Sequence, residues 1–284
     1  MPEPAKLEVL IDSGLPILQP LPFCPFGSTL SVFDGTILVC GGASNGNNCY
    51  SYSNGFWAFH SKMNRSRRYH SAVSTKNCLY VFGGHDSISG QDTFEYLPVG
   101  STQWQLGQGF LPGGGFVNGS ATSINSGKEI LLIGGLSYET SIVKFDVASH
   151  TFCGLSAVCL QSKRMGHSCA ILPSGEILIT GGCWRSNFYE TTEILDPNSW
   201  TIRRGPPMTF KRRAHGMGVV TYDGSPRVVV LGGYDGRRWL SSVEEYDGLN
   251  GVWRPSKMKL RRPSNGLGCV TYQNKDLSFD VVLE

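Results

Sequence analysis

Five short apolar runs in this chain end in Gly-Gly: GTILVCGG (35–42), NCLYVFGG (77–84), KEILLIGG (128–135), GEILITGG (175–182) and PRVVVLGG (226–233). Their leading glycines, Gly41, Gly83, Gly134, Gly181 and Gly232, stand 42, 51, 47 and 51 residues apart. Such a period belongs to a supersecondary unit, and a unit this short buries its apolar face only against its neighbours. The chain must therefore stack copies of one small set of elements.

Each copy opens on a stretch rich in small and apolar residues, such as STLSVF (28–33), HSAVS (70–74), HSCAIL (167–172), HGMGVVTY (215–222) and GLGCVTY (266–272). A turn signal follows, for example Asp34-Gly35, Lys76-Asn77, Ser126-Gly127, Ser174-Gly175 or Asp223-Gly224, and then the continuous apolar run. That order predicts a hairpin whose second strand is buried on both faces. The diglycine ends the strand, and its second members, Gly42, Gly84, Gly135, Gly182 and Gly233, share the freedom to take positive φ or admit a close neighbour. Beyond a polar loop, a third strand ends in an aromatic residue and a fourth begins with another. Tyr50 to Trp57, Phe145 to Phe152 and Tyr246 to Trp253 are each seven apart, Tyr96 to Trp104 is eight, and Leu195 to Trp200 reads as a shortened form.

The pattern in GGYDGRRWLSSVEEYDGLNGVW (232–253) resembles the kelch repeat, and the likeness extends over nearly the whole chain. The resemblance implies one four-stranded propeller blade per repeat. The tail 262–284 supplies a first and a second strand. LEVLI (7–11) matches a third and LQPLP (18–22) a fourth. The expected fold is thus an all-β, six-bladed propeller, one domain over 1–284, whose last blade joins strands from 7–22 and 262–284. Its alternative is a fragment of a larger ring.

Composition excludes several classes. Thirty-six glycines, fifteen prolines and a net charge of +3 fit a turn-rich β protein, with no global drive toward nucleic acid or membrane. Nine cysteines without a C-x-x-C pair are read as reduced, mostly buried thiols. Val9-Leu10-Ile11, broken by Asp12, is too short for a signal peptide, and no run is long enough to span a membrane. A cytoplasmic chain is expected.

Four segments align before first strands: Arg67-Arg68-Tyr69-His70, Arg164-Met165-Gly166-His167, Arg212-Arg213-Ala214-His215 and Arg262-Pro263-Ser264-Asn265. The resemblance implies that these loops open on the face where partners bind and that arginines there receive acidic peptides. Arg67, Arg68, Arg164, Arg212, Arg213 and Arg262 are therefore candidate partner-binding residues, since guanidinium forks suit carboxylates. The competing reading makes them caps of their own loops. Pro25 and Phe116 hold the place in the other two blades. Loops after the diglycines add Tyr138, Trp184, Arg185, Phe188, Tyr234, Arg237, Arg238 and Trp239, residue types enriched at interface hot spots. Trp184 and Trp239 could instead pack between blades.

His70, His167 and His215 are read as locally hydrogen-bonded rather than as a metal site, and Asp146 with His150 as a coincidence of spacing. No phosphate loop, nucleophile elbow or paired-carboxylate motif appears, so no catalytic residue, metal or cofactor is expected. The expected function is a scaffold or substrate adaptor that binds a protein or peptide partner. Actin-like and ubiquitin-ligase-linked partners enter through the resemblance alone. The alternatives are a carbohydrate-modifying enzyme resembling a sialic-acid epimerase or galactose oxidase, and a single-stranded nucleic-acid binder.

Overall fold

The apolar runs before the diglycines are strands in which nearly every side chain is shut off from water, as in Leu79–Phe82 and Ile130–Ile133. The computed structural model describes residues 7–10, 26–53, 55–86, 88–222, 225–264, 266, 268–274 and 277–283. Among them all regular structure is β, apart from one 3₁₀ turn at Asn125–Gly127.

Strand β1 (Leu7–Leu10) comes first. Five four-stranded antiparallel sheets then follow in chain order. Blade 1 holds β2 (Thr29–Phe33), β3 (Thr36–Cys40), β4 (Asn48–Ser53) and β5 (Phe56–Lys62). Blade 2 holds β6 (Ser71–Ser74), β7 (Cys78–Phe82), β8 (Phe94–Pro98) and β9 (Gln105–Leu106). Blade 3 holds β10 (Ser120–Ile124), β11 (Glu129–Ile133), β12 (Ser141–Asp146) and β13 (Thr151–Cys159). Blade 4 has β14 (Ser168–Ile171), β15 (Ile177–Thr180), β18 (Thr192–Asp196) and β19 (Thr201–Gly205), with the small hairpin β16 (Cys183–Trp184) and β17 (Asn187–Phe188) inserted after its diglycine. Blade 5 has β20 (Gly216–Tyr222), β21 (Ser225–Leu231), β22 (Leu240–Asp247) and β23 (Val252–Ser264). A last sheet has the order β24 (Gly268–Asn274), β25 (Leu277–Leu283), β1, with Leu7 opposite Leu283 and Leu10 opposite Asp280. The expected fourth strand at 18–22, the turn residues Asp223 and Gly224, and Pro25 and Asn265 lie outside the described residues.

The core lies between blades, in slabs. Phe82 and Phe94 of blade 2 pack on Phe145 and Ile130 of blade 3, and Leu178 and Ile194 of blade 4 meet Val228, Tyr246 and Trp253 of blade 5. Each large side chain so buried contributes on the order of 1.5–3 kcal/mol, and each contributes to two blades at once.

Three sequence expectations change here. Tyr52, not Tyr50, faces Trp57, because a tight turn shortens the β4–β5 hairpin and pairs Tyr50 with Phe59 instead. Trp104 does not face Tyr96. It turns toward blade 1, donates from Nε1 to Ser61 Oγ at 3.0 Å and is buried there, while Gln105 takes its place opposite Tyr96. Leu195 faces Ile202, seven residues on, so blade 4 keeps the full spacing with an aliphatic residue in the second place, and Trp200 sits in the turn at φ 55°.

The cysteines also depart from expectation. Cys40 and Cys49 face each other on β3 and β4 and are joined by a disulfide. Cys183 is a buried thiol, whereas Cys153 and Cys159 are exposed along β13.

Candidate functional site

Two residues before each leading glycine, β7, β15 and β21 present Val81, Ile179 and Val230, and the residues opposite on the next strand are Glu95, Glu193 and Glu244. All three glutamates are buried, and each pairs with an arginine from the loop entering its own blade: Arg67 with Glu95 at 3.0 Å, Arg164 with Glu193 at 2.6 Å, Arg212 with Glu244 at 2.8 Å. Each arginine also donates from NH1 to the carbonyl of the leading glycine, Gly83, Gly181 or Gly232, at 2.6–2.7 Å. A hydroxyl within or just before the next strand, from Thr93, Thr191 or Ser242, takes NH2. The carboxylates accept two more bonds from backbone N–H groups of the incoming loop: Asn64 and Arg65, Gln161 and Ser162, Thr209 and Phe210.

Arg67, Arg164 and Arg212 are therefore not exposed to any partner. At 0–1 % exposure they are internal ties that hold each loop to its blade, the capping alternative carried to full burial. Arg262 is displaced for another reason. The backbone bond that Gly182 N makes to Arg212 O is made by Gly233 N to Ser264 O, so Ser264 holds the equivalent place and Arg262 is an exposed residue of β23. In blade 3 the arginine place is held by Phe116 and the glutamate place by Val143, opposite Leu132. Both are buried in one cluster. A charged pair and an apolar pair thus fill the same position.

Two residues beyond each of these places the chain reaches a shared central cavity. Gly27, Tyr69, Asn118, Gly166, Ala214 and Gly266 all lie in the left-handed region, at φ between 50° and 75°. Tyr69 N donates to Gly27 O, Asn118 N to Tyr69 O, Gly166 N to Asn118 O, Ala214 N to Gly166 O and Gly266 N to Ala214 O, at 2.7–3.0 Å. This hydrogen-bonded belt rims a cavity of about 240 Å³, continuous in its lining with a second of about 230 Å³ between the innermost strands. Positive φ in Tyr69 and Ala214 is strained, and strain of this kind gathers where structure is held for a purpose.

His70, His167 and His215 follow the belt and line both cavities. Burial, and then the neighbouring Arg67 and Arg164 guanidinium groups, bring His70 and His167 down to about 3; His215 is lowered likewise by burial and Arg212. Each ring is neutral and packs on the leading glycine of the blade before it. His70 Nε2 meets Thr29 Oγ1 at 2.9 Å and His215 Nε2 meets Thr180 Oγ1 at 2.8 Å. A Cβ on Gly134 would lie 2.7 Å from the His167 ring, which explains why the first glycine is needed. Among the described residues no group of three or more His, Cys, Asp or Glu side chains could hold a metal. His150 is enclosed by Tyr80, Phe94, Tyr96 and Phe145, between blades 2 and 3, with Nε2 3.2 Å from Tyr80 OH.

At the mouth stand the arginines next in sequence to the buried ones. Arg68 is half-buried over the Tyr69 ring, and Arg213 lies over both Phe188 and Tyr234, at 5.4 and 5.6 Å. Neither has a carboxylate partner among the described residues. Burial raises the Tyr69 phenol, and the Arg68 and Arg213 charges lower it, so both cations act on one hydroxyl at the mouth. Phe188 and Tyr234 meet edge to face at 5.5 Å, joining the loops of blades 4 and 5. Lys163 covers Trp184, which is half-buried. Arg185, Arg237, Arg238 and Trp239 are exposed, and Arg238 makes a long 3.7 Å contact with Asp235. Tyr138 leaves the candidate face: it is buried against the Phe116 ring.

A model of the kelch motif matches residues 66–108 and 213–256, which cover blade 2 and most of blade 5. The chain thus carries the kelch motif in two places. A kelch repeat-containing protein of Dictyostelium discoideum is 29% identical to it over 138 residues, covering 46% of this chain and 20% of that protein. The chain thus matches about a fifth of this relative's length. No helix among the described residues is long and apolar enough to cross a membrane.

Proposed function

We propose that this kelch-repeat protein is an interaction scaffold that binds an acidic segment of a partner protein across the mouth of its ring. The observation that carries the reading is the pair of half-buried arginines, Arg68 and Arg213, stacked on aromatic rings at the mouth without a carboxylate of their own among the described residues. A cation already desolvated and oriented by stacking loses little more on meeting a carboxylate. The same reading takes the β24–β25–β1 sheet as the sixth blade, closed by the N-terminal segment. The belt supports it, since Gly266 continues a series with one residue from each preceding blade. It assigns no chemistry to the protein. A cytoplasmic location remains part of this reading, and the Cys40–Cys49 disulfide counts against it, because such bonds persist mainly in oxidising compartments.

Affinity capture from cell extract tests the function. Arg68→Glu with Arg213→Glu should fold with the wild-type melting temperature and lose the captured partners, because reversing a desolvated interface charge costs several kcal/mol. Retention of every partner by the folded double variant would place the partner surface elsewhere.

A further inference from the structure

We propose that the loop face is bipartite, and that its partner carries acidic residues and a large apolar side chain in one segment. This rests on the scaffold reading above and adds the apolar half. Around Val117, three loops of blades 2 and 3 converge: a Cβ on Gly90 would lie 3.3 Å from Val117, and Leu136 N donates to Val117 O at 2.8 Å. The loop 107–116 returns beside them, with Leu111 N bonded to Asp92 O and Phe116 N to Gln91 O. From these loops project Ile88 at 91 % exposure, Phe110 at 70 % and Leu136 at 51 %.

Single exposed apolar residues are ordinary, but three from adjoining loops on one face mark a contact surface. Asp86, two residues before Ile88, is spent on its own turn, accepting from Ile88 N, Ser89 N and Gln91 Nε2. Opposite, over blades 4 and 5, Arg185, Arg213 and Arg237, which have no carboxylate partner among the described residues, make a basic sector, with Arg68 at the mouth between the two. Charge complementarity selects the acidic half of the occupant and the three side chains select the apolar half. Joining two such weak contacts in one segment multiplies their affinities, because the second becomes intramolecular.

The test uses three labelled peptides of equal length on the intact chain, read by fluorescence anisotropy: a glutamate run in serine, two leucines in serine, and the glutamate run followed by the leucines. The composite peptide should bind at least about tenfold tighter than the acidic one, a gain that burying one or two apolar side chains supplies. Ile88→Ser with Phe110→Ser and Leu136→Ser should remove the gain and leave the acidic peptide unchanged; Arg185→Glu with Arg237→Glu should weaken both glutamate peptides. All five positions are exposed, and unchanged melting temperatures verify folding. Equal binding of composite and acidic peptides overturns the bipartite surface and leaves the scaffold reading intact. No binding by any of the three peptides overturns the acidic-partner reading and the bipartite surface together.

Discussion

Arg212 and Glu244 show how one residue pair fastens a blade. The guanidinium is completely buried and saturated by a carboxylate, two carbonyls and a hydroxyl, so its desolvation is offset only while every partner is present. Blade 3 supplies the natural control, with Phe116 and Val143 in the same two places. Glu244→Val alone should cost about 3–5 kcal/mol in denaturant unfolding, because it strands a buried charge. Arg212→Phe combined with Glu244→Val should cost about 2 kcal/mol less than the two single changes added together, a coupling within the range for contacting residues. Additive costs would mean that blade 3 uses its apolar pair for reasons of its own.

At the scale of elements, the strand that matters most is the shortest in its sheet. Strand β1 brings four residues to β25, from Leu7 opposite Leu283 to Leu10 opposite Asp280, and so joins the two ends of the chain. Without it the backbone donors and acceptors on that side of β25 form an open edge. Deleting residues 1–22 should lower the melting temperature by more than about 10 °C, the shift expected when several kcal/mol are lost from a chain this large. A truncated protein melting within about 4 °C of the intact one would show that the ring does not depend on this closure.

The whole molecule carries a pH dependence that no single blade reveals. His70, His167 and His215 are neutral in the fold, with His70 and His167 at about 3, while the unfolded chain takes up protons near 6.5. Between those values the unfolded state binds more protons, so the stability these groups permit is complete above about pH 6.5 and is lost as pH falls toward 3. Three such groups give a slope approaching about 4 kcal/mol per pH unit at its steepest, enough to unfold a domain of ordinary stability well before pH 3. The melting temperature should therefore fall steeply between pH 6.5 and 4.5, and His70→Asn should flatten the slope by roughly a third. A flat profile over that range would show that the rings are not held neutral.

The diglycines and the strand order within each repeat were legible in the sequence because each depends on local pattern, an apolar run, a turn, a residue without Cβ, whereas the propeller came with the resemblance to the kelch repeat. The mouth was legible in part. Arg68, Arg213, Phe188 and Tyr234 were readable as a cluster of types, since loops at equivalent places in a repeat reach the same face. The division of labour within each Arg-Arg pair was not. Arg212 and Arg213 are neighbours with the same chemistry, and only Glu244, thirty-two residues onward and opposite Val230, decides which of them turns inward. The same limit hid the Cys40–Cys49 bond, the turn of Trp104 toward blade 1 and the two-residue offset of Arg262. Each depends on the register between segments, and register is set by turns and by packing across strands and blades rather than by any one strand's own sequence.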